Sequence, residues 1–442
     1  MYQQMTDELL SFIQRSPSCY HTIETASGML RAAGFQELYE GQDWKISPGG
    51  RYFVTRNLSS LIAFVMPQGD YFGFQIAASH SESPCFKIKP MAEMTAEGQY
   101  VKLNTEKYGG MIYASWLDRP LSVAGKVVVR KGELIESRLV NIDRDLLLIP
   151  SLAIHMNRAV NDGGALNPQS DLLPLYGDAA AQNSFWELIA DCAGVHAADI
   201  LGTDLFLYNR MPGSIWGKDG VYVSAPRLDD LQCAFASLKG FLAAEPAQSV
   251  PVCCIFDNEE VGSGTKQGAK STFLLDVLTR ILAAGGFGQS AFSKVLASSF
   301  MLSADNGHAV HPNYPDKADP TNRPYMNQGI VIKYNAGQKY TTDAVSEAVV
   351  KELCDSVKVP YQTYTNRSDV PGGSTLGNLS NEQVSVNTAD IGLAQLAMHA
   401  AFETAGVKDT WYMAQLMQAF FVSAFEAVSA GAYRLHRKNA HE

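Results

Sequence analysis

The run Val250-Pro251-Val252-Cys253-Cys254-Ile255-Phe256 empties directly into Asp257-Asn258-Glu259-Glu260, with Val261-Gly262-Ser263-Gly264 behind it. An apolar run of that length, bounded by turn residues, reads as a buried strand of a covered sheet. Carboxylates at the mouth of such a strand are costly unless hydrogen bonds, cations or a metal neutralise them. The fold must therefore place compensating groups around Glu259 and Glu260.

Three other segments repeat the pattern. Ala77-Ala78-Ser79-His80 and Met301-Leu302-Ser303-Ala304-Asp305 each close an apolar run on a side chain able to bind metal, and Arg227-Leu228-Asp229-Asp230 opens a helical stretch on acids. In open α/β sheets, ligands bind outside the carboxyl ends of strands. His80, Glu259, Glu260 and Asp305 all fall there, and Asp229 sits where a helix start favours a carboxylate.

Short apolar runs alternate with helical segments: Leu61 to Met66, Tyr71 to Ala78, Leu231 to Leu242, Val252 to Phe256, Phe273 to Ala284, Phe300 to Ala304, Ile330 to Tyr334 and Ala344 to Leu353. This alternation predicts an α/β fold with a central mixed sheet flanked by helices. Helices are also expected over the first forty residues, over Leu393 to Ala401 and, as one long closing helix, over Trp411 to Tyr433. From Glu93 to Tyr222 the texture changes to hairpin-like pieces such as Val127 to Arg130 and Leu134 to Val140. The expected organisation is thus a catalytic body from residues 1–92 and 223–442, carrying a mainly β insert at 93–222. A length of 442 residues, 46% of them hydrophobic, is consistent with more than one core.

A formal charge of -10 argues against nucleic acid as a partner. No stretch approaches the roughly 18 to 20 apolar residues of a membrane helix, and the first residues lack a secretory pattern. The expected location is the cytoplasm. Seven cysteines with no CxxC spacing read as reduced core residues.

Singly, these side chains have ordinary explanations: Asp229 as a helix cap, Asp305 as a turn residue, His399 as a histidine within a helix. Jointly they form an imidazole and carboxylate set without thiolate, which suits two divalent ions. Three carboxylates around two such ions leave about one positive charge, enough to activate water. Adjacent acids do not aim at one ion, so Glu260 as a ligand leaves Glu259 free as general base. The loop Gly262 to Gly268 lacks the GxxxxGK[ST] spacing of a phosphate loop, and Gly372-Gly373-Ser374-Thr375 is not a GxSxG elbow.

The motifs His80-Ser81-Glu82-Ser83-Pro84-Cys85, Trp116-Leu117-Asp118-Arg119-Pro120, Arg227-Leu228-Asp229, Asn258-Glu259-Glu260-Val261-Gly262-Ser263, Ser303-Ala304-Asp305, His308-Ala309-Val310-His311-Pro312-Asn313, Gly373-Ser374-Thr375 and Gln395-Leu396-Ala397-Met398-His399 occur in this order. Together they resemble the aspartyl aminopeptidase family, the M18 family aminopeptidases, over essentially the whole chain. The resemblance implies a co-catalytic zinc aminopeptidase that removes N-terminal aspartate or glutamate from peptides. It implies that His80 and Asp305 hold one ion and that Glu260 and His399 hold the other. Asp229 would bridge them, and Glu259 would act as base for a hydroxide shared between the ions. The native ions would be zinc, with cobalt or manganese as alternatives of the same ligand preference. The resemblance also implies a tetrahedral dodecamer built through the insert, which would cover the site.

Where the family carries aspartate two residues after the first histidine, this chain has Glu82, expected to keep the steadying role on His80 with one more methylene. Lys333 matches a position associated with the acidic substrate side chain, and His155 resembles an insert histidine that reaches a neighbouring subunit's site. His308 and His311 are candidates for supporting or oxyanion roles. Two other outcomes fit the same scaffold: a catalytically weak assembly or binding homologue, and a two-metal deacylase of N-acyl amino acids.

Overall fold

The computed structural model describes residues 1–437 apart from 247 and 287, together with the backbone but not the side chain of residue 289. Its main body is built on a 13-stranded mixed sheet. At its centre the strand Ser249–Phe256 runs antiparallel to Ser60–Val65 and parallel to Gly73–His80, which in turn is parallel to Phe300–Ala304. Phe300–Ala304 is also parallel to Asn387–Leu396. The register sets Phe256 beside His80, so the carboxyl ends of adjacent parallel strands open at one edge.

The central strands are buried on both faces, and their side chains alternate between two cores. Cys253, Ile255 and Ala77 face a core shared with the helices Tyr2–Gln14, Cys19–Ala32, Leu228–Leu242, Ala344–Ser356 and Asp409–Phe421. Val252, Cys254, Phe256, Ile76 and Ala78 face the other core, with Phe273–Ala284 over it. A fully buried Phe or Ile of this kind contributes about 1.5–3 kcal/mol by leaving water, which keeps these strand ends at a fixed depth.

The second body is a six-stranded antiparallel sheet in the order Leu134–Asn141, Leu121–Lys131, Ile200–Asn209, Cys85–Ala96, Tyr100–Tyr108, Leu175–Asp178. It has its own core around Phe86, Trp116, Val123, Leu205 and Phe185. The link between the sheets is short: His80 ends a strand of the first and Cys85 starts a strand of the second. Ser214–Trp216 and Tyr222–Ala225 return to the large sheet. Lys126, on the second sheet, reaches across to the main body. Its Nζ lies 3.2 Å from Asn57 Oδ1 and 4.6 Å from the centre of the Tyr20 ring.

Two helix expectations are corrected. The apolar stretch from Trp411 to Tyr433 is not one helix: the helix ends at Phe421, and Ala424–Ser429 then pairs with Ala432–His436 around Gly431 at φ 75°. Nearly continuous hydrophobicity hides the change from a period of 3.6 to a period of 2. The stretch from Leu393 to Ala401 is not helical either. Asn387–Leu396 is a strand flanked by Ile330–Lys333 and Glu403–Gly406, and His399 follows in a turn at φ 66°. Pairing on both sides overrides local helical preference there. Among the described residues no helix is long and apolar enough to cross a membrane.

Candidate metal centre

His80 closes the strand Gly73–His80 and is fixed from behind. Its backbone N–H donates to Asp230 Oδ2 at 3.1 Å, and its Nδ1 lies 3.0 Å from the Glu82 carbonyl oxygen. With Nδ1–H donating there, Nε2 is left as the acceptor. That atom lies 3.5 Å from Asp229 Oδ1 and 4.0 Å from Asp305 Oδ1. On the opposite side, His399 Nε2 lies 3.5 Å from Asp229 Oδ2 and 3.3 Å from Glu260 Oε1. Asp229 therefore presents a different oxygen to each imidazole.

These spacings fit cations. Two ligands at roughly 2.0–2.1 Å from one tetrahedral ion stand about 3.3–3.4 Å apart. Among the described residues, Asp229 Oδ1 and Glu260 Oε1 are buried without a hydrogen-bond partner, as is Asp230 Oδ1. Donor atoms of His80, Asp229 and Glu260 converge within 4.8 Å, as do those of His80, Asp230 and Asp305.

The electrostatics point the same way. Burial, reinforced by Asp229 and Glu259, pushes the Glu260 carboxyl well above the ordinary range, and burial pushes Glu259 up to about 8 and Asp305 up to about 6. For Asp229, burial acts upward, but the two imidazoles beside it, His399 and His80, hold it below the ordinary range. Acids crowded to this degree need positive charge to remain ionised together.

Glu259 and Glu260 occupy a short turn after Asn258, whose φ is 63°, and both line a cavity of about 470 Å³ with His80, Asp229, Asp305 and His399. Lys333 also lines it, fully within the protein. Its Nζ donates to the Asn306 carbonyl at 2.8 Å and lies 3.9 Å from Asp305 Oδ2. Opposed by burial, the nearby Asp305 carboxylate keeps the ammonium above its ordinary value. Glu82 stands behind His80, its Oε2 3.5 Å from Nδ1.

His308 lines the cavity too, whereas His311 lines an adjoining cleft of about 340 Å³ that shares His308, Tyr364, Gly373 and Met398 with it. His155 lies on an exposed turn and does not line this cavity within the single chain.

Sequence reasoning passed over three supporting groups. Glu403 accepts the His399 N–H at 2.7 Å through Oε1 and the Asp229 N–H at 3.0 Å through Oε2. Asp230 accepts the His80 N–H, and the backbone of Gly110 lies beside the His399 ring. Only Asp230 carried a signal, as the second acid of an adjacent pair; Glu403 and Gly110 sit in no motif.

Carboxylates and imidazoles gathered at the strand ends of a doubly covered α/β sheet define a metal-dependent hydrolase. The family model described as Aminopeptidase I zinc metalloprotease (M18) matches residues 12–421, and the chain belongs to that family. A probable M18 family aminopeptidase 2 from Clostridium novyi is 44% identical over 427 residues, covering 95% of this chain and 98% of its own length. One from Pseudomonas aeruginosa is 38% identical, covering 96% and 99%. Among solved structures, the Ape4 and Nbr1 complex aligns with a TM-score of 0.92 at 35% identity, covering 95% of this chain and 86% of that one. The mApe1 dodecamer of S. cerevisiae aligns with a TM-score of 0.82 at 28% identity, covering 95% and 97%.

Proposed function

We propose that this M18 metallopeptidase removes N-terminal aspartate and glutamate from peptides, using two divalent ions, zinc first. The observation that carries the two-ion reading is the Asp229 carboxylate, whose separate oxygens face His80 and His399 at 3.5 Å each. His80 and Asp305 would hold one ion, Glu260 and His399 the other, and Asp229 both. Bound there, the pair supplies Lewis-acid charge for the scissile carbonyl and the attacking water.

The chain's own groups then divide the work. The Glu259 carboxylate takes a proton from the water and returns it to the departing amine nitrogen. The Lys333 ammonium, a fixed cation in the cavity wall, offers a partner to an acidic substrate side chain. The insert, expected at 93–222 and carrying a sheet whose strands run from Cys85 to Asn209, would act as lid and assembly domain of a homododecamer like that of the yeast relative, bringing His155 to a neighbouring subunit's site, with His311 beside the departing peptide. Seven free cysteines fit a reducing cytoplasm.

The test compares aspartyl, glutamyl and leucyl chromogenic substrates with N-acyl aspartate, before and after removal of metal by chelation. Chelator-sensitive turnover of the acidic free-amine substrates is expected. Preferential hydrolysis of the N-acyl compound, or none with any substrate, would overturn the reading.

A further inference from the structure

Tyr108 ends a strand of the second sheet, yet its hydroxyl lies among the supports of the metal centre. It is 3.2 Å from Glu82 Oε1 and 2.9 Å from Asn258 Nδ2. The direction of these bonds is settled by the neighbours. Asn258 Oδ1 already accepts from Thr265 Oγ1 at 2.7 Å and from Gln267 Nε2 at 2.9 Å, so the Asn258 amide nitrogen is the donor to Tyr108. The single phenolic proton is thereby directed to Glu82.

Glu82 uses the same oxygen, Oε1, to accept the Glu260 N–H at 3.1 Å, while Oε2 stands 3.5 Å from His80 Nδ1. One carboxylate thus spans His80 and Glu260, which the proposed function assigns to different ions. The chain beyond Tyr108 follows the same path. A Cβ on Gly109 would lie 3.2 Å from Glu260 Cβ, and Ile112 N–H donates to the His399 carbonyl at 3.0 Å.

We propose that Tyr108 is a positioning residue: by donating its proton to Glu82 it lets the second sheet set the placement of His80 and Glu260. This rests on the two-ion reading above. Without the hydroxyl, the Glu82 carboxylate loses a donor and is free to rotate away from His80 or from the Glu260 N–H. Outer partners of this kind typically change metal affinity or activity by about 10–100-fold.

The test is Tyr108→Phe, alone and combined with Glu82→Gln, in the full-length assembly. Zinc affinity is read by chelator competition without substrate, and kcat and KM at saturating zinc. We expect Tyr108→Phe to weaken zinc binding or lower kcat by about 10-fold or more, with KM within about twofold. In the Glu82→Gln background the same change should have little further effect, because the acceptor it serves has been altered. Unchanged zinc affinity and kcat, or an equal loss in the Glu82→Gln background, overturns the proposal. Those outcomes leave the two-ion reading standing, whereas a parent protein that binds no zinc takes both down.

Discussion

The Glu403 carboxylate holds the backbone N–H of Asp229 at 3.0 Å although 174 residues separate them, and its other oxygen holds the N–H of His399 at 2.7 Å. One acid therefore fixes the backbone of two candidate ligands against each other. Glu403→Gln replaces one acceptor by a donor facing an N–H. We expect zinc affinity to fall by about 10–100-fold, measured by competition with a chelator. An unchanged affinity would mean that Asp229 and His399 are held by packing alone.

Glu259 is separable from its neighbour by chemistry. Glu259→Gln should lower kcat by about 100- to 10,000-fold while zinc content and KM stay near those of the parent. If zinc content falls instead, Glu259 is a ligand and the proton is carried elsewhere.

Lys333 faces two tasks, since its ammonium lines the cavity and also lies 3.9 Å from Asp305 Oδ2. Lys333→Met should reduce kcat/KM for aspartyl and glutamyl substrates by about 10-fold or more relative to leucyl, as expected for loss of a charged hydrogen-bond partner worth about 1.5–3 kcal/mol. A uniform loss across all three substrates would confine Lys333 to support of Asp305.

Glu82 accepts the Tyr108 hydroxyl and the Glu260 N–H through one oxygen and faces His80 with the other. Shortening it with Glu82→Asp should cost either the Tyr108 contact or the Glu260 N–H, because one methylene less cannot meet both and still face His80. A drop of about 10-fold in zinc affinity or turnover is expected. No change in either would indicate that the longer side chain is not needed for reach.

His21 reports on acid stability away from the candidate ligands. Its Nδ1 lies 2.8 Å from Ser18 Oγ, and burial, aided by Arg227, pushes it down to about 4. Below about pH 6.5 the unfolded chain binds a proton there that the folded chain refuses until about pH 4, so stability falls as pH is lowered through that window. The penalty is about 2 kcal/mol between pH 7.5 and pH 5. Denaturant titrations at the two pH values should show a smaller pH loss in His21→Gln than in the parent; equal losses would mean that His21 is charged in the fold.

Composition and local order already carried the α/β architecture, because buried parallel strands require continuous apolar runs and those runs lead into His80, Glu260 and Asp305. The kinds of donor, and hence the preference for a borderline divalent ion, were equally local information. The closing segment and the turn bearing His399 were not legible. Apolar continuity does not distinguish a helix from a strand, and pairing with distant strands decided both. Nor could Glu403, Tyr108 or the two faces of Asp229 be read in advance. Their roles depend on which strands become neighbours, and that order is set by burial of the whole sheet, which brings together groups that no local spacing relates.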